Sequence, residues 1–161
     1  MIVPLVSSYN RKYIPIGYLD GDYIPSNRVT IIPDATKYEL GVLESSTHMA
    51  WMRTVTGRME IYFNYSKKII YNFFPWSEVD NEQKQKISET AQAILDARKL
   101  YPDSSLADLY DPLTMPVELR EAHEANDKAV LKAYGLSTNA TEQEIVQHLF
   151  KMYEELTKDE K

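Results

Sequence analysis

Apolar positions in the first half of the chain fall in short extended runs, and in the second half they recur at helical spacing. Ile2–Ser8 and Tyr13–Leu19 are rich in β-branched and aromatic residues and predict strands, separated at Asn10-Arg11. Asp20-Gly21-Asp22 is a turn signal, and Arg28–Ile32 predicts another short strand ended by Pro33-Asp34. Pro15 and Pro25 keep the strands that hold them out of central positions, because proline has no N–H to give a ladder. The period then changes: Tyr38–Leu43 predicts a helix, and Ser45-Ser46 can cap a second one near Thr47. His48, Met49, Trp51, Met52 and Val55 recur along that second helix until Gly57. Arg58–Ser66 alternates, with Met59, Ile61, Phe63 and Tyr65 on one face and Arg58, Glu60, Tyr62 and Asn64 on the other. That is a strand with one packed and one polar face. Lys67-Lys68 breaks it, and Ile69–Phe74 predicts a further strand ended by Pro75.

The second half predicts helices. Asn81 can cap one running from Glu82 to about Leu100, with Ile87, Ala91, Ile94 and Leu95 as its apolar stripe and Tyr101-Pro102 as its stop. Ser104–Leu109 predicts a short helix. Pro116 suits a first helical position for a segment that runs over Val117–Tyr134 to Gly135. Thr141 to Glu144 is a capping box ahead of Ile145, Val146, Leu149, Met152, Tyr153 and Leu156. The expected fold class is therefore α+β: a mixed strand-and-helix domain over residues 1–78, then an α-helical subdomain over residues 79–161.

Composition sharpens this division. The 161 residues contain no cysteine, which excludes disulfides, thiolate zinc sites and a catalytic thiol. No apolar run is long enough for a transmembrane helix and no secretory leader precedes the first strand, so a cytoplasmic protein is expected. The net charge of −6 is unevenly spread: residues 1–76 carry 8 Lys+Arg against 6 Asp+Glu, and residues 77–161 carry 10 against 18. Thirteen of the eighteen aromatic residues also lie in the first 76. A nucleic-acid site, if present, belongs to the first half. An apolar extended stretch directly after Met1 is unusual for a natural N-terminus and points to a piece of a longer protein.

Catalytic constellations are missing. The five glycines are scattered singly, which excludes a phosphate-binding loop, and no G-x-S-x-G elbow occurs. His123-Glu124 opens like a zinc-helix motif, but the fourth place after His123 is Asp127, and a solvated face of a charged helix is the expected setting. Pro33-Asp34 with Glu82-Gln83-Lys84 matches a metal-dependent nuclease pattern only loosely. Asn72-Phe73-Phe74-Pro75 lacks the Asn-Pro-Pro-aromatic order of an amino-methyltransferase and is expected as a buried aromatic strand end. No metal ligand and no catalytic residue can be named.

The segment 45–72 carries the better constellation. Arg53, Arg58, Lys67 and Lys68 are interleaved with Trp51, Tyr62, Tyr65 and Tyr71. Such cations can neutralise phosphates, and Ser45, Ser46, Thr56 and Ser66 can add phosphate hydrogen bonds. The outward face Glu60, Tyr62, Asn64 offers an acceptor, a phenol and an amide at alternate positions; Glu accepts from cytosine N4, and Asn pairs bidentately with adenine. The competing reading is a solvated strand face beside a helix packed by Trp51, Met49 and Met52. In that reading His48 is a core histidine, and Arg53 and Arg58 pair with Glu39, Glu44 or Glu60.

Ser45-Ser46-Thr47-His48-Met49-Ala50-Trp51-Met52-Arg53-Thr54-Val55, Gly57-Arg58, Tyr65-Ser66 and Tyr71–Trp76 resemble the target-recognition domain of MmeI-like (type IIL) adenine DNA methyltransferases, many of them fused restriction–modification proteins. Glu89–Arg98 and Ser104–Pro116 resemble the helical C-terminal region of the same family. The resemblance implies a parent with an upstream domain that uses S-adenosylmethionine to methylate adenine N6, and no cofactor in this chain itself. It implies two partners, duplex DNA and that upstream methyltransferase domain. It also implies that Glu60, Tyr62 and Asn64 meet base edges, as do Asn27 and Arg28, while Arg53, Arg58, Lys67, Lys68, Ser46 and Ser66 hold the backbone. The commoner family pattern has Lys and Asp in place of Glu60 and Tyr62, so a different DNA sequence is expected. Packing on the upstream domain, as an interaction module, is the alternative role.

Overall fold

The computed structural model describes residues 1–56 and 62–158. Among these, four short strands form two antiparallel pairs: β1 (Ile2–Pro4) with β3 (Val29–Ile31), and β2 (Val6–Ser8) with β4 (Tyr62–Asn64). The register sets Pro4 opposite Val29 and Val6 opposite Asn64. Between β1 and β2 stands Leu5, whose N–H donates to the Arg28 carbonyl at 2.9 Å and whose carbonyl accepts from the Tyr65 N–H at 2.7 Å. The single strand expected over Ile2–Ser8 is thus two, because the chain changes partner at Leu5.

Two other predicted strands are not strands. Tyr13–Leu19 contributes only a bridge between Gly17 and Ile2. Tyr13, Ile14 and Ile16 are buried there, but the Ile16 N–H is taken by the Glu44 carboxylate at 2.9 Å instead of by a neighbouring strand. Over Ile69–Phe74 the chain makes a π-helical turn, Lys67–Tyr71. The Ser66 carbonyl accepts from Ile69 and Ile70, and the Lys67 carbonyl accepts from Asn72 at 3.1 Å. In that turn Ile70 is buried and Ile69 is exposed. Asn72–Trp76 is accordingly a turn leading into the helical half, with Phe74 buried and Phe73 exposed, and not a strand end.

Helices are α1 (Lys37–Leu43), α2 (Ser46–Val55), α3 (Asn81–Lys99), α4 (Leu106–Leu109), α5 (Val117–Ala133) and α6 (Glu142–Thr157). Caps place their ends. Thr36 with Glu39, Asp80 with Gln83, Ser105 with Asp108 and Thr141 with Glu144 form capping boxes, and Ser45 alone caps α2. Asp80, not Asn81, is the cap of α3, and Pro116 precedes α5 as its cap residue. Gly135, with φ of +69°, follows the end of α5 in the left-handed region that glycine enters without strain.

The core spans both halves: α3 packs on α5 and α1, and α2 packs on α6. Close approach of α1 to α3 depends on Gly41, where a Cβ would lie 2.6 Å from the Ile87 Cγ2. Asn126 of α5 seals this junction, donating from Nδ2 to the Gly41 carbonyl at 2.7 Å and accepting from the Thr90 hydroxyl at 2.9 Å. No described helix is long and apolar enough to cross a membrane.

Candidate nucleic-acid interface

Alternation along β4 aims its side chains. Phe63 is buried and Tyr65 is 1% exposed, so Tyr62 and Asn64 are turned outward. Asn27 and Arg28 sit in the exposed turn before β3, far away in sequence. Leu5 brings them together: its two backbone bonds attach the Arg28 end of that turn on one side and the Tyr65 end of β4 on the other. Four of the five residues expected to meet bases are thus exposed on the two segments attached to either side of Leu5. Glu60, the fifth, lies outside the described residues, as does Arg58.

The remaining cations and hydroxyls separate into two groups. Lys67 and Lys68 are exposed in the π-helical turn directly after β4, and Ser66 begins that turn. They make no ion pair among the described residues. Arg53 is engaged elsewhere: its guanidinium donates to Glu142 at 3.0 Å and to the Lys12 carbonyl at 3.2 Å. Ser46 gives its N–H to Asp127 at 2.7 Å. With Lys12, Ala140, Glu142 and Ile145, these two line a cavity of about 390 Å³ between α2 and α6. Among the described residues the acid paired with Arg53 is Glu142, in the first turn of α6, and not Glu39 or Glu44.

The helix α2 is packed. Met49 and Met52 are fully buried and Trp51 nearly so. His48 is buried as well, with its Nε2 3.1 Å from the Tyr65 hydroxyl and its ring edge-on to Phe74 at 4.7 Å. Burial drives its pKa down to about 3, so the ring is neutral at physiological pH.

His123 and Asp127 are also in the core, not on a solvated face. The His123 ring stacks on Tyr13 at 4.1 Å, and its Nε2 is 2.8 Å from the Tyr110 hydroxyl. Asp127 accepts from the Tyr13 hydroxyl and the Ser46 N–H, both at 2.7 Å. These partners are distant in sequence, which is why spacing along α5 gave no sign of them. Burial raises the Asp127 carboxyl against the pull of its two donors, and lowers His123 to about 3. Glu44 and Arg98 form a buried ion pair beside them, with Arg98 also donating to Ile16 at 2.7 Å and to Tyr110. No group of three or more potential metal ligands occurs among the described residues.

Residues 1–78 match the target recognition domain of MmeI and residues 79–160 match the MmeI C-terminal domain, and the chain belongs to this MmeI family. It is 42% identical over 157 residues to DNA methyltransferase A of Bacillus subtilis (strain 168), covering 98% of this chain and 18% of that protein. It superposes with a TM-score of 0.92 on the type IIL restriction–modification enzyme MmeI, solved in complex with DNA, at 46% identity over 97% of this chain and 21% of that one. The chain therefore spans about a fifth of the length of either relative.

Proposed function

We propose that this chain reads a short duplex DNA sequence on behalf of an S-adenosylmethionine-dependent adenine-N6 methyltransferase whose catalytic domain lies upstream. One observation carries the proposal: two segments far apart in sequence, ending at Arg28 and beginning at Tyr62, are fastened to opposite sides of Leu5. Their outward side chains, Asn27, Arg28, Tyr62 and Asn64, have the donor and acceptor chemistry of base edges in a major groove. Glu60, outside the described residues, belongs to the same alternation in the sequence. Lys67, Lys68 and Ser66 supply phosphate contacts directly after β4, Ser46 and Arg53 do so at the cavity shared with Lys12, and Arg58, outside the described residues, adds another. S-adenosylmethionine binds the upstream domain and not this chain.

The acidic helices have a different task. Residues 77–161 carry 18 Asp+Glu against 10 Lys+Arg, a balance that repels phosphate. Their outer faces serve as the contact with the methyltransferase domain.

Anisotropy titrations with duplex DNA at several salt concentrations, followed by selection from a random duplex library, test the reading. Lys67→Ala and Lys68→Ala should each lower the salt slope by about one and weaken all sequences alike. Asn64→Ala and Arg28→Ala should instead relax the preference at particular base pairs. Salt-insensitive binding, or no enriched sequence, would overturn the proposal.

A further inference from the structure

We infer that His48 and Tyr65 form a positioning pair that sets the angle of the base-reading strand. The inference rests on the proposed reading of DNA by β4 and adds two residues that touch no base. Tyr65 is the first residue after β4 and is 1% exposed. It is held at both ends: its N–H by the Leu5 carbonyl at 2.7 Å, and its hydroxyl by the His48 Nε2 at 3.1 Å. His48 is itself immobilised. Its N–H is capped by the Ser45 hydroxyl at 3.3 Å, and its ring abuts Phe74. The helix α2 and the N-terminal segment therefore meet the reading strand at one residue, α2 through the phenol and Leu5 through the backbone.

The geometry explains why a buried hydroxyl matters to an exposed amide. In a strand, neighbouring side chains leave opposite faces, so rotation of Tyr65 about the strand axis rotates Asn64 and Tyr62 with it. Bidentate base contacts need both partners in one plane at hydrogen-bond distance, and their loss costs about tenfold to a hundredfold in discrimination. Phosphate contacts by flexible Lys67 and Lys68 tolerate the same rotation. Loosening the pair should therefore degrade selectivity and leave electrostatic binding intact.

Tyr65→Phe removes only the oxygen, keeping the ring and the backbone bond to Leu5. The full chain and its variants are compared by selection from a random duplex library, by salt titration and by thermal unfolding. Tyr65→Phe should lose tenfold or more of the preference at the base pairs where Asn64→Ala loses it, with the salt slope unchanged. His48→Gln, whose amide can still meet the phenol, should keep that preference, and His48→Leu should lose it. If Tyr65→Phe lowers the melting temperature but keeps the full preference profile, the pair is merely structural and the inference falls while the DNA-reading proposal stands. If the unaltered chain selects no sequence at all, both fall.

Discussion

Arg98 and Glu44 come from opposite halves of the chain and meet at 2.5 Å, the arginine side chain 9% exposed and the carboxylate 0% exposed. Burial raises the Glu44 carboxyl to about 7, while the guanidinium and the Ile16 N–H pull it back down. A buried pair of this kind is weak as a source of stability but costly to break from one side. Arg98→Met should destabilise the chain by about 3–5 kcal/mol at pH 8 in urea unfolding. The loss should be smaller at pH 5, where Glu44 without its partner takes up a proton. A variant as stable as the parent at pH 8 would show that the pair contributes nothing.

Gly41 admits α3 to the backbone of α1. Gly41→Ala places a methyl 2.6 Å from the Ile87 Cγ2 and 3.1 Å from the Ile87 carbonyl, where backbone cannot yield cheaply. Overpacking should cost about 1–3 kcal/mol despite the better helix propensity of alanine. Ile87→Val in the same background should return part of the loss, because it trims the side chain on which the new methyl lands.

Acid should destabilise the fold through its neutral histidines. His48 is held at about 3 in the folded state, against an ordinary value of 6.5 in an unfolded chain. Its contribution is fully present above 6.5 and is lost as pH falls towards 3, amounting to about 2 kcal/mol between pH 7 and pH 5. His123, also held at about 3, acts in the same direction. Glu44 acts oppositely: its contribution is complete below the ordinary 4.5 and is lost as pH rises through about 7. Comparing His48→Gln with the parent at each pH cancels the other groups, and the variant should lose about 2 kcal/mol less between pH 7 and pH 5.

Glu142 competes for Arg53. The bridge is part-exposed, 22% on the arginine and 55% on the acid, so its loss should change stability by less than about 1 kcal/mol. Glu142→Gln frees the guanidinium for a phosphate. DNA binding should tighten and its salt slope should steepen by about one, both reversed by adding Arg53→Ala. No change in slope would mean that Arg53 does not meet DNA.

Helix limits were legible wherever a cap carried them: Thr141 with Glu144, Ser45 and Gly135 each mark an end by local chemistry alone. So was the outward aim of Tyr62 and Asn64, because alternation is a property of neighbours. Tyr13–Leu19 and Ile69–Phe74 deceived because apolar content signals burial without stating what satisfies the backbone. A distant carboxylate satisfies Ile16, and the carbonyl of Ser66 satisfies Ile69 and Ile70. The polar interior was illegible for the same reason. Asp127 finds Tyr13 and Ser46, and Arg53 finds Glu142, across separations over which no periodicity extends. Tyr65 is the intermediate case: its inward aim was visible, and a buried phenol requires a partner, but only the fold names His48.

Asn126 and Asp127 have a consequence for transplanting this reader into another protein. They reach out of α5 to hold Gly41, Tyr13 and Ser46, while Arg98 reaches Glu44 from α3. A graft cut at residue 78 would carry a carboxylate, a phenol and the backbone groups of Ile16, Gly41 and Ser46, whose counterparts stayed behind in the donor. The portable cassette is the recognition half together with its helices, and a chimera has to inherit both from one ancestor.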